Sequence, residues 1–398
     1  MLASTAAHAE PWELAGGSIR DMSMAGAGTA GAAPGAALPI DPGAVAGLKG
    51  ETLTLGYRRT APSVRVGQAE LVGDTVHAMD LKVAFGGPVG GLNAGGGFAL
   101  YLPLPDAVAS VVHMDADELY APMLEDAFDF AAFDLAGGVA FGQLELAAGV
   151  AVGIDLLADT VVSVRSLDGE VQDDGSRDIT QSVDVTLDRK MVWAAAPLLG
   201  LHLRNERIHA YMSYRGQSSF RTSGDNQIRF DFESDLLGDL FPDVDLGVDY
   251  LSVWTPARVA IGVSAPVGRF RPELMARYQW VSGWRDTQNR APSSALEDVP
   301  SVGMGLEADL GRGLLARTGY ALHVSPVPTQ TGFSRLADAD RHVVGMGLGW
   351  ARGGIPRDTD KTELLIGIQG QRLSPRDVGG AEMSGWIWTA TTGVESRL

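Results

Sequence analysis

Side chains that could carry out catalysis or bind a metal are present in this sequence, but they do not form a recognised motif. The seven histidines are scattered, and no H-E-x-x-H, G-x-S-x-G or phosphate-binding-loop pattern occurs. Two of them, His202 and His209, flank a predicted turn and are expected to be solvated. The absence of cysteine excludes disulfides and thiolate metal sites. We therefore expect no enzymatic activity, no metal site and no cofactor.

Three arginines, Arg58, Arg277 and Arg317, are candidates for binding a carboxylate. Each alternates with apolar residues along a predicted strand, so it shares a face with small or polar residues. The guanidinium fork matches the carboxylate of a ligand, and it matches an acidic residue of a neighbouring strand equally well. The acidic residues available for this structural alternative are Glu273, Glu307 and Glu363.

Two long polar segments, 115–130 and 235–241, carry apolar residues at the spacing of an amphipathic helix. Exposed apolar helices are unfavourable in water. We therefore expect small helices that fold onto a hydrophobic ligand or cap the rest of the protein. The apolar residues concerned are Leu119, Met123, Leu124, Phe128, Leu236, Leu237, Leu240 and Phe241.

The elements that must position these residues are β-strands. Alternation of apolar and polar residues with a period of two is clearest in 51–60, 271–284, 361–373 and 385–397. Together with the turn residues between runs, this pattern predicts fourteen strands. They are 51–60, 75–87, 93–104, 134–142, 144–157, 190–203, 206–217, 255–265, 271–284, 299–310, 313–323, 341–351, 361–373 and 385–397.

The links between these strands alternate in length. Short links such as 142–143 and 311–312 alternate with long ones such as 105–133, 158–189 and 218–254. Outer-membrane barrels have short turns on one side and long loops on the other, and an even number of strands closes them without an edge. A soluble β-sandwich would show the same alternation along each strand. We predict an all-β, 14-stranded antiparallel transmembrane β-barrel.

Composition agrees with this fold. The mean hydropathy is +0.05 although 20% of the residues are charged, and no apolar run approaches the roughly 20 residues of a spanning helix. The net charge of -18 excludes an electrostatic attraction to nucleic acid. Tryptophans near predicted strand ends are expected to form girdles at the membrane interfaces. They are Trp254, Trp280, Trp284, Trp350, Trp386 and Trp388.

The first fifty residues differ from the rest. Ala7-His8-Ala9 before Glu10 is typical of a signal-peptidase site, so residues 1–9 are predicted to be the remnant of a signal peptide. A disordered alanine-rich tail is the alternative. Residues 10–50 are rich in Gly and Ala and lack strand alternation. They are predicted to form a plug in the lumen, with a disordered linker as the alternative. Residues 51–398 are predicted to form the barrel.

Several short motifs follow one another along the chain. Near the N-terminus these are Gly17-Ser18-Ile19-Arg20-Asp21-Met22-Ser23-Met24-Ala25-Gly26-Ala27 and Asp41-Pro42-Gly43. The most specific set is Arg317-Thr318-Gly319-Tyr320, Ser325-Pro326-Val327-Pro328 and Leu336-Ala337-Asp338-Ala339-Asp340-Arg341. In order and spacing these motifs resemble the FadL/TodX family of outer-membrane transporters for long-chain fatty acids and other hydrophobic compounds. The family usually has Asn-Pro-Ala at the position of Asp41-Pro42-Gly43.

The resemblance implies a monomeric, porin-like barrel in the outer membrane of a Gram-negative bacterium, surrounded by lipid and lipopolysaccharide. Fatty acids or aromatic hydrocarbons would be captured among extracellular loops and passed by diffusion through a lumen plugged by an N-terminal hatch. Met22, Met24 and Pro42 of the hatch would contact the ligand. A kink in the third strand, which carries Gly95-Gly96-Gly97 and Pro103, would open the wall sideways.

Two other functions fit the same sequence. A sealed barrel could serve as a structural anchor or assembly partner without transport, and a soluble secreted β-protein would need no membrane. A continuous apolar path past the hatch would favour transport. A lumen filled by ion pairs, with no gap in the wall, would favour an anchor.

Overall fold

The computed structural model describes residues 16–66, 69–72, 75–104, 130–155, 160–166, 181–187, 192–232, 244–283, 296–327, 338–351, 362–378 and 381–397. The strands in these ranges are β1 (Gly50–Val66), β2 (Ala69–Val72), β3 (Val76–Val89), β4 (Leu92–Pro103), β5 (Phe130–Phe141), β6 (Leu144–Asp155), β7 (Thr160–Ser166), β8 (Gln181–Leu187), β9 (Val192–Arg204), β10 (His209–Arg215), β11 (Ser218–Phe232), β12 (Val244–Thr255), β13 (Ala257–Ser264), β14 (Phe270–Trp280), β15 (Val299–Gly311), β16 (Leu314–His323), β17 (Arg341–Ala351), β18 (Thr362–Val378) and β19 (Ala381–Arg397). The helices are α1 (Ile19–Ser23), α2 (Pro34–Ala37) and a 3-10 helix, η1 (Pro42–Val45).

Fourteen of the described strands form a closed antiparallel ring. Their order is β1-β3-β4-β5-β6-β9-β10-β13-β14-β15-β16-β17-β18-β19, and β19 pairs back onto β1 from Arg397–Thr52 to Met383–Val66. Each corresponds to one predicted strand, so the 14-stranded barrel is confirmed. The largest differences in bounds are on the side of the long links, where β1 reaches Val66 instead of residue 60 and the β18–β19 hairpin also extends beyond its predicted ends.

The ring is apolar outside and polar inside. In β14, Glu273 is 1% exposed and its neighbour Leu274 is 58% exposed. The same alternation holds around the ring, where exposed leucines, methionines and aromatic residues face outward and buried threonines, arginines and acidic residues face inward. A soluble sandwich would bury its apolar face, so this polarity favours a barrel in lipid. No helix in the described ranges is long and apolar enough to cross a membrane.

Two of the long links contain a second sheet. β12-β11-β8-β7 form a four-stranded antiparallel sheet, in which β11 pairs with β12 from Ser218–Thr255 to Ile228–Val244. The prediction of loops at 158–189 and 218–254 was therefore wrong for these strands. The reason is visible in 226–232, where Ile228, Phe230 and Phe232 alternate with polar residues. The patches with Leu119, Met123, Leu124, Phe128, Leu236, Leu237, Leu240 and Phe241 lie outside the described residues.

The third barrel strand, β4, shows no gap in its pairing within the described residues. β4 pairs with β3 from Leu92 to Pro103 and with β5 from Asn93 to Tyr101, without a shift in register. Two glycines of β4 allow close packing. An added Cβ at Gly97 would lie 2.8 Å from the Cβ of Ala84, and one at Gly95 would collide with the carbonyl oxygen of Val45 in η1.

The tryptophan girdle needs one correction. Trp280, Trp350, Trp386 and Trp388 face outward and are exposed, as girdle residues should be. Trp254 is 2% exposed and packs in a buried apolar cluster with Val281, Leu296, Val299 and Val327, because the chain around it joins the second sheet to the barrel. Trp284 lies outside the described residues.

Candidate functional site

Residues 16–49, which we call the hatch, lie inside the ring of strands. Nearly all of them are buried. The helix α1 contacts β16 to β19, α2 contacts β1, β3 and β4, and η1 contacts β3 to β6, β9 and β10. The hatch therefore extends from one side of the inner wall to the opposite side.

The helix α1 is stabilised by its own polar groups and by the wall. The hydroxyl of its N-cap residue, Ser18, accepts a hydrogen bond from the Asp21 N–H at 3.0 Å. The Asp21 carboxylate in turn accepts bonds from the Gly17 N–H at 2.8 Å and the Thr29 hydroxyl at 2.9 Å. A helix of five residues is too short to be stable alone. Its position therefore depends on contacts with the barrel.

The strongest of these contacts is an ion pair at Arg20. Its guanidinium bonds Glu273 of β14 at 2.5 Å and Glu307 of β15 at 3.1 Å. Burial lowers the pKa of Arg20, but the two carboxylates outweigh burial, so the pKa lies above its ordinary value. The alternation along the strands predicts that both glutamates face the lumen, but it does not identify Arg20 as their partner. The only signal was a lone arginine in a segment of small apolar residues.

Two of the three candidate arginines are ion-paired within the wall. Arg58 bonds Asp80 of β3 at 2.5 Å, and Arg317 bonds Glu307 at 2.8 Å and Glu363 at 2.7 Å. Arg58 and Arg317 therefore pair with acidic residues of neighbouring strands, which is the structural alternative to binding a ligand. Arg277 is 5% exposed, and its Nε has no hydrogen-bond partner among the described residues.

The opposite side of the hatch is held by Asp41. Its carboxylate pairs with Nδ1 of His202 on β9, and both residues are buried. The expectation that His202 is solvated was wrong, because this residue is on the inward face of β9, under η1. Gly43 packs directly against the backbone of His202, and Gly47 packs against the side chain of Glu145. The sequence gives no local signal for these contacts, since the partners are far apart along the chain.

Met22, Met24 and Pro42 contact the wall, each of them buried. Glycines on β15 to β19 form a recess that receives α1. An added Cβ would lie 2.6 Å from Met24 Cε at Gly305 and 2.5 Å from the Met22 carbonyl oxygen at Gly345. An added Cβ at Gly200 of β9 would likewise lie 2.8 Å from Cγ of Pro42. The structure therefore places each of these three residues against the barrel wall and does not gather them into one cluster.

A cavity of about 570 Å³ borders the hatch on the side of the short links. Charged side chains dominate its lining, including Arg20, Arg271, Glu307, Glu363 and Glu395. These charged groups offer hydrogen-bonding partners to water or to polar groups.

No family model matches the sequence, and no curated protein matches it. Solved structures do match. A FadL homologue from Pseudomonas aeruginosa has a TM-score of 0.60 and 13% identity, covering 95% of this chain and 97% of that one. The toluene transporter TodX of P. putida has a TM-score of 0.58 and 13% identity, with coverages of 96% and 98%. The toluene transporter TbuX of Ralstonia pickettii has a TM-score of 0.54 and 13% identity, with coverages of 96% and 98%. The chain therefore shares its fold, along almost its whole length, with these three proteins.

Proposed function

We propose that this chain is an outer-membrane transport protein of the FadL/TodX family, which takes up small hydrophobic compounds by diffusion and uses its hatch as a plug. The observation that carries the proposal is a hatch packed across the lumen of a 14-stranded barrel whose fold matches transporters named for toluene. The polarity of the barrel supports a place in the outer membrane.

The route past the hatch runs along its contacts with the wall. Cargo captured among the long links would reach Met22, Met24 and Pro42, whose apolar side chains fill the space against the wall glycines. Because α1 is short, it can leave its recess without the loss of a long stable helix. The motifs give no sign of energy coupling, so diffusion down a gradient is the simplest driving force.

Arg277 would select cargo that carries a carboxylate. It lies on the inward face of β14, two residues beyond Met275, whose Cε lies 3.5 Å from the position of an added Cβ at Gly26 of the hatch. An arginine in this place can form a two-pronged bond with a carboxylate. Toluene offers no such partner, so Arg277 should matter for fatty acids and not for hydrocarbons.

A substitution of Arg277 tests this role. We expect Arg277→Gln to lower uptake of labelled oleate about tenfold, the order expected when one charge-assisted bond is lost, and to leave labelled toluene unchanged. Arg312→Gln, at an exposed short turn, is the matched control. Equal loss for both cargoes would assign Arg277 to the barrel structure. Uptake of neither cargo above protein-free liposomes would contradict the transport proposal itself.

A sealed barrel acting as an anchor is the second candidate. It is favoured by the ion pairs that fill the lumen at Arg58, Arg215 and Arg317, and by the unbroken pairing of β4 among the described residues. Liposome uptake separates the two functions, because a sealed anchor should admit neither cargo.

A further inference from the structure

The outer face of six neighbouring strands, β3-β1-β19-β18-β17-β16, carries basic and aromatic residues close together. On β3 and β1, His77 is the direct cross-strand partner of Arg59. On β17 and β18, His342 is the direct partner of Arg372. Trp386 and Trp388 of β19 lie between these two pairs. We call these six residues the basic-aromatic band.

The band lies toward the long-link ends of its strands. Counted from the end of each strand at the short links, Arg59, His342 and Trp388 are each the tenth residue, Arg372 is the eleventh, Trp386 the twelfth and His77 the thirteenth. A tilted strand crosses the bilayer in roughly 9–11 residues, so the band reaches the interface on the side of the long links. An outward arginine is costly at the bilayer midplane and nearly without cost at the interface, which agrees with this height.

Contacts within the band orient its side chains. A hydrogen bond of 2.5 Å joins the Tyr57 hydroxyl to Nδ1 of His77, and one of 2.7 Å joins the Tyr320 hydroxyl to Nδ1 of His342. Because Nδ1 of each histidine is bonded to a tyrosine, Nε2 is the ring nitrogen that can contact an external group. The guanidinium of Arg372 lies 5.9 Å from the ring centroid of Trp386.

Trp386 itself stacks on Trp388 with the ring centroids 5.4 Å apart. The nearest described acidic residues on the outward faces of these strands lie beyond the band, at the tip of the β18–β19 hairpin, where Asp377 pairs with Glu382. Glu51 is at the opposite end of β1. At the height of the band, therefore, the described outward charges on these strands are those of arginine.

We infer that the basic-aromatic band binds a lipid of the outer leaflet that carries two phosphate groups, as the lipid A part of lipopolysaccharide does. Arginine forms charge-assisted, two-pronged bonds with phosphate, and histidine Nε2 can donate a further one. The two basic pairs would each take one phosphate. The paired tryptophans would lie at the junction of headgroup and acyl chain, where indole rings are favoured. This inference rests on the proposed outer-membrane location and is independent of the cargo.

The test uses the full chain, purified in detergent, with lipopolysaccharide as the probe and native mass spectrometry as the readout. We expect the double variant Arg59→Gln/Arg372→Gln to bind lipopolysaccharide at least about tenfold more weakly. The matched control, Arg207→Gln/Arg312→Gln, removes the same charge from the exposed short turns and should bind normally. Inorganic phosphate at the same phosphate concentration should not displace the lipid, and diacylglycerol should not bind comparably.

Three results would overturn the inference: equal loss in the two double variants, displacement by inorganic phosphate alone, or equally tight binding of diacylglycerol. Heat-modifiable migration in electrophoresis would show that each variant is folded. If the glutamine variant is not folded, Arg59→Lys/Arg372→Lys keeps the charge but loses the guanidinium fork, and it should bind with intermediate affinity. Toluene uptake should be unchanged in all band variants, so failure of the lipid site and failure of transport are distinguishable.

Discussion

Individual residues hold the hatch to the wall mainly through buried charge. Arg20 lies between two carboxylates on different strands, and Asp41 meets His202 on the opposite side. The sequence predicted which strand residues face the lumen, because alternation is a local property. It could not predict Arg20, Asp41 or His202 as partners, because docking of the hatch joins positions more than 150 residues apart.

Removal of Arg20 should release α1. Arg20→Met leaves Glu273 and Glu307 without their shared partner, and breaking a buried pair in this way costs about 3–5 kcal/mol. We expect faster hydrogen exchange of the amides of 17–31, measured by mass spectrometry on the purified protein. Arg312→Met, at an exposed turn, is the control and should exchange like the wild type. Unchanged exchange in Arg20→Met would mean that packing alone holds the helix.

The link between β16 and β17 should be sensitive to pH through Asp338. Its carboxylate is buried and accepts a bond from the Ser325 hydroxyl at 2.9 Å. Burial raises the pKa of Asp338 above its ordinary value, against the opposing effects of Arg341 and Ser325. For a raised pKa, the stabilisation is fully present below the ordinary value of 3.8 and is lost as the pH rises through the folded value.

Hydrogen exchange of 324–327 and 338–340, corrected for the intrinsic effect of pH, should therefore show more protection in acid. Asp338→Asn should remove this dependence, because asparagine is neutral throughout. Identical pH profiles for the two proteins would show that Asp338 does not carry the effect.

At the scale of elements, the strand pattern was predicted more accurately than the use of glycine. The fourteen barrel strands follow from alternation, which records the two faces of each strand directly. Glycine can mark a bend or a close approach, and the sequence does not say which. In β4 and in the recess for α1, the glycines allow neighbouring backbone and side chains to approach closely. Only the position of the hatch reveals this role.

A methyl group in the recess should displace α1. Gly345→Ala would place Cβ 2.5 Å from the Met22 carbonyl oxygen, and overpacking of this kind costs roughly 1–3 kcal/mol. We expect increased labelling by a soluble maleimide at a cysteine introduced as Ala25→Cys. Gly87→Ala is the matched control, since an added Cβ there meets nothing within 4 Å. Equal labelling in both backgrounds would show that the recess does not determine the position of the helix.

At the scale of the whole molecule, the barrel follows from an outer surface that is apolar and a lumen that is polar. The rhythm of short and long links predicted its topology, although the second sheet within two of those links was not foreseen. The lumen carries many ion pairs around the hatch, at Arg20, Arg58 and Arg317 among others. The proposal of hydrophobic uptake therefore depends on movement of the hatch.

Tethering the hatch tests that claim most directly. Ala25 of the hatch and Ala321 of β16 share one buried cluster, and the chain has no cysteine, so Ala25→Cys/Ala321→Cys places the only two cysteines of the variant in that cluster for oxidation to a disulfide. Labelled toluene uptake should be measured in liposomes with the oxidised and the reduced protein. We predict little uptake when the hatch is tethered and wild-type uptake after reduction. Equal uptake in both states would contradict the account, as would no uptake above protein-free liposomes in either.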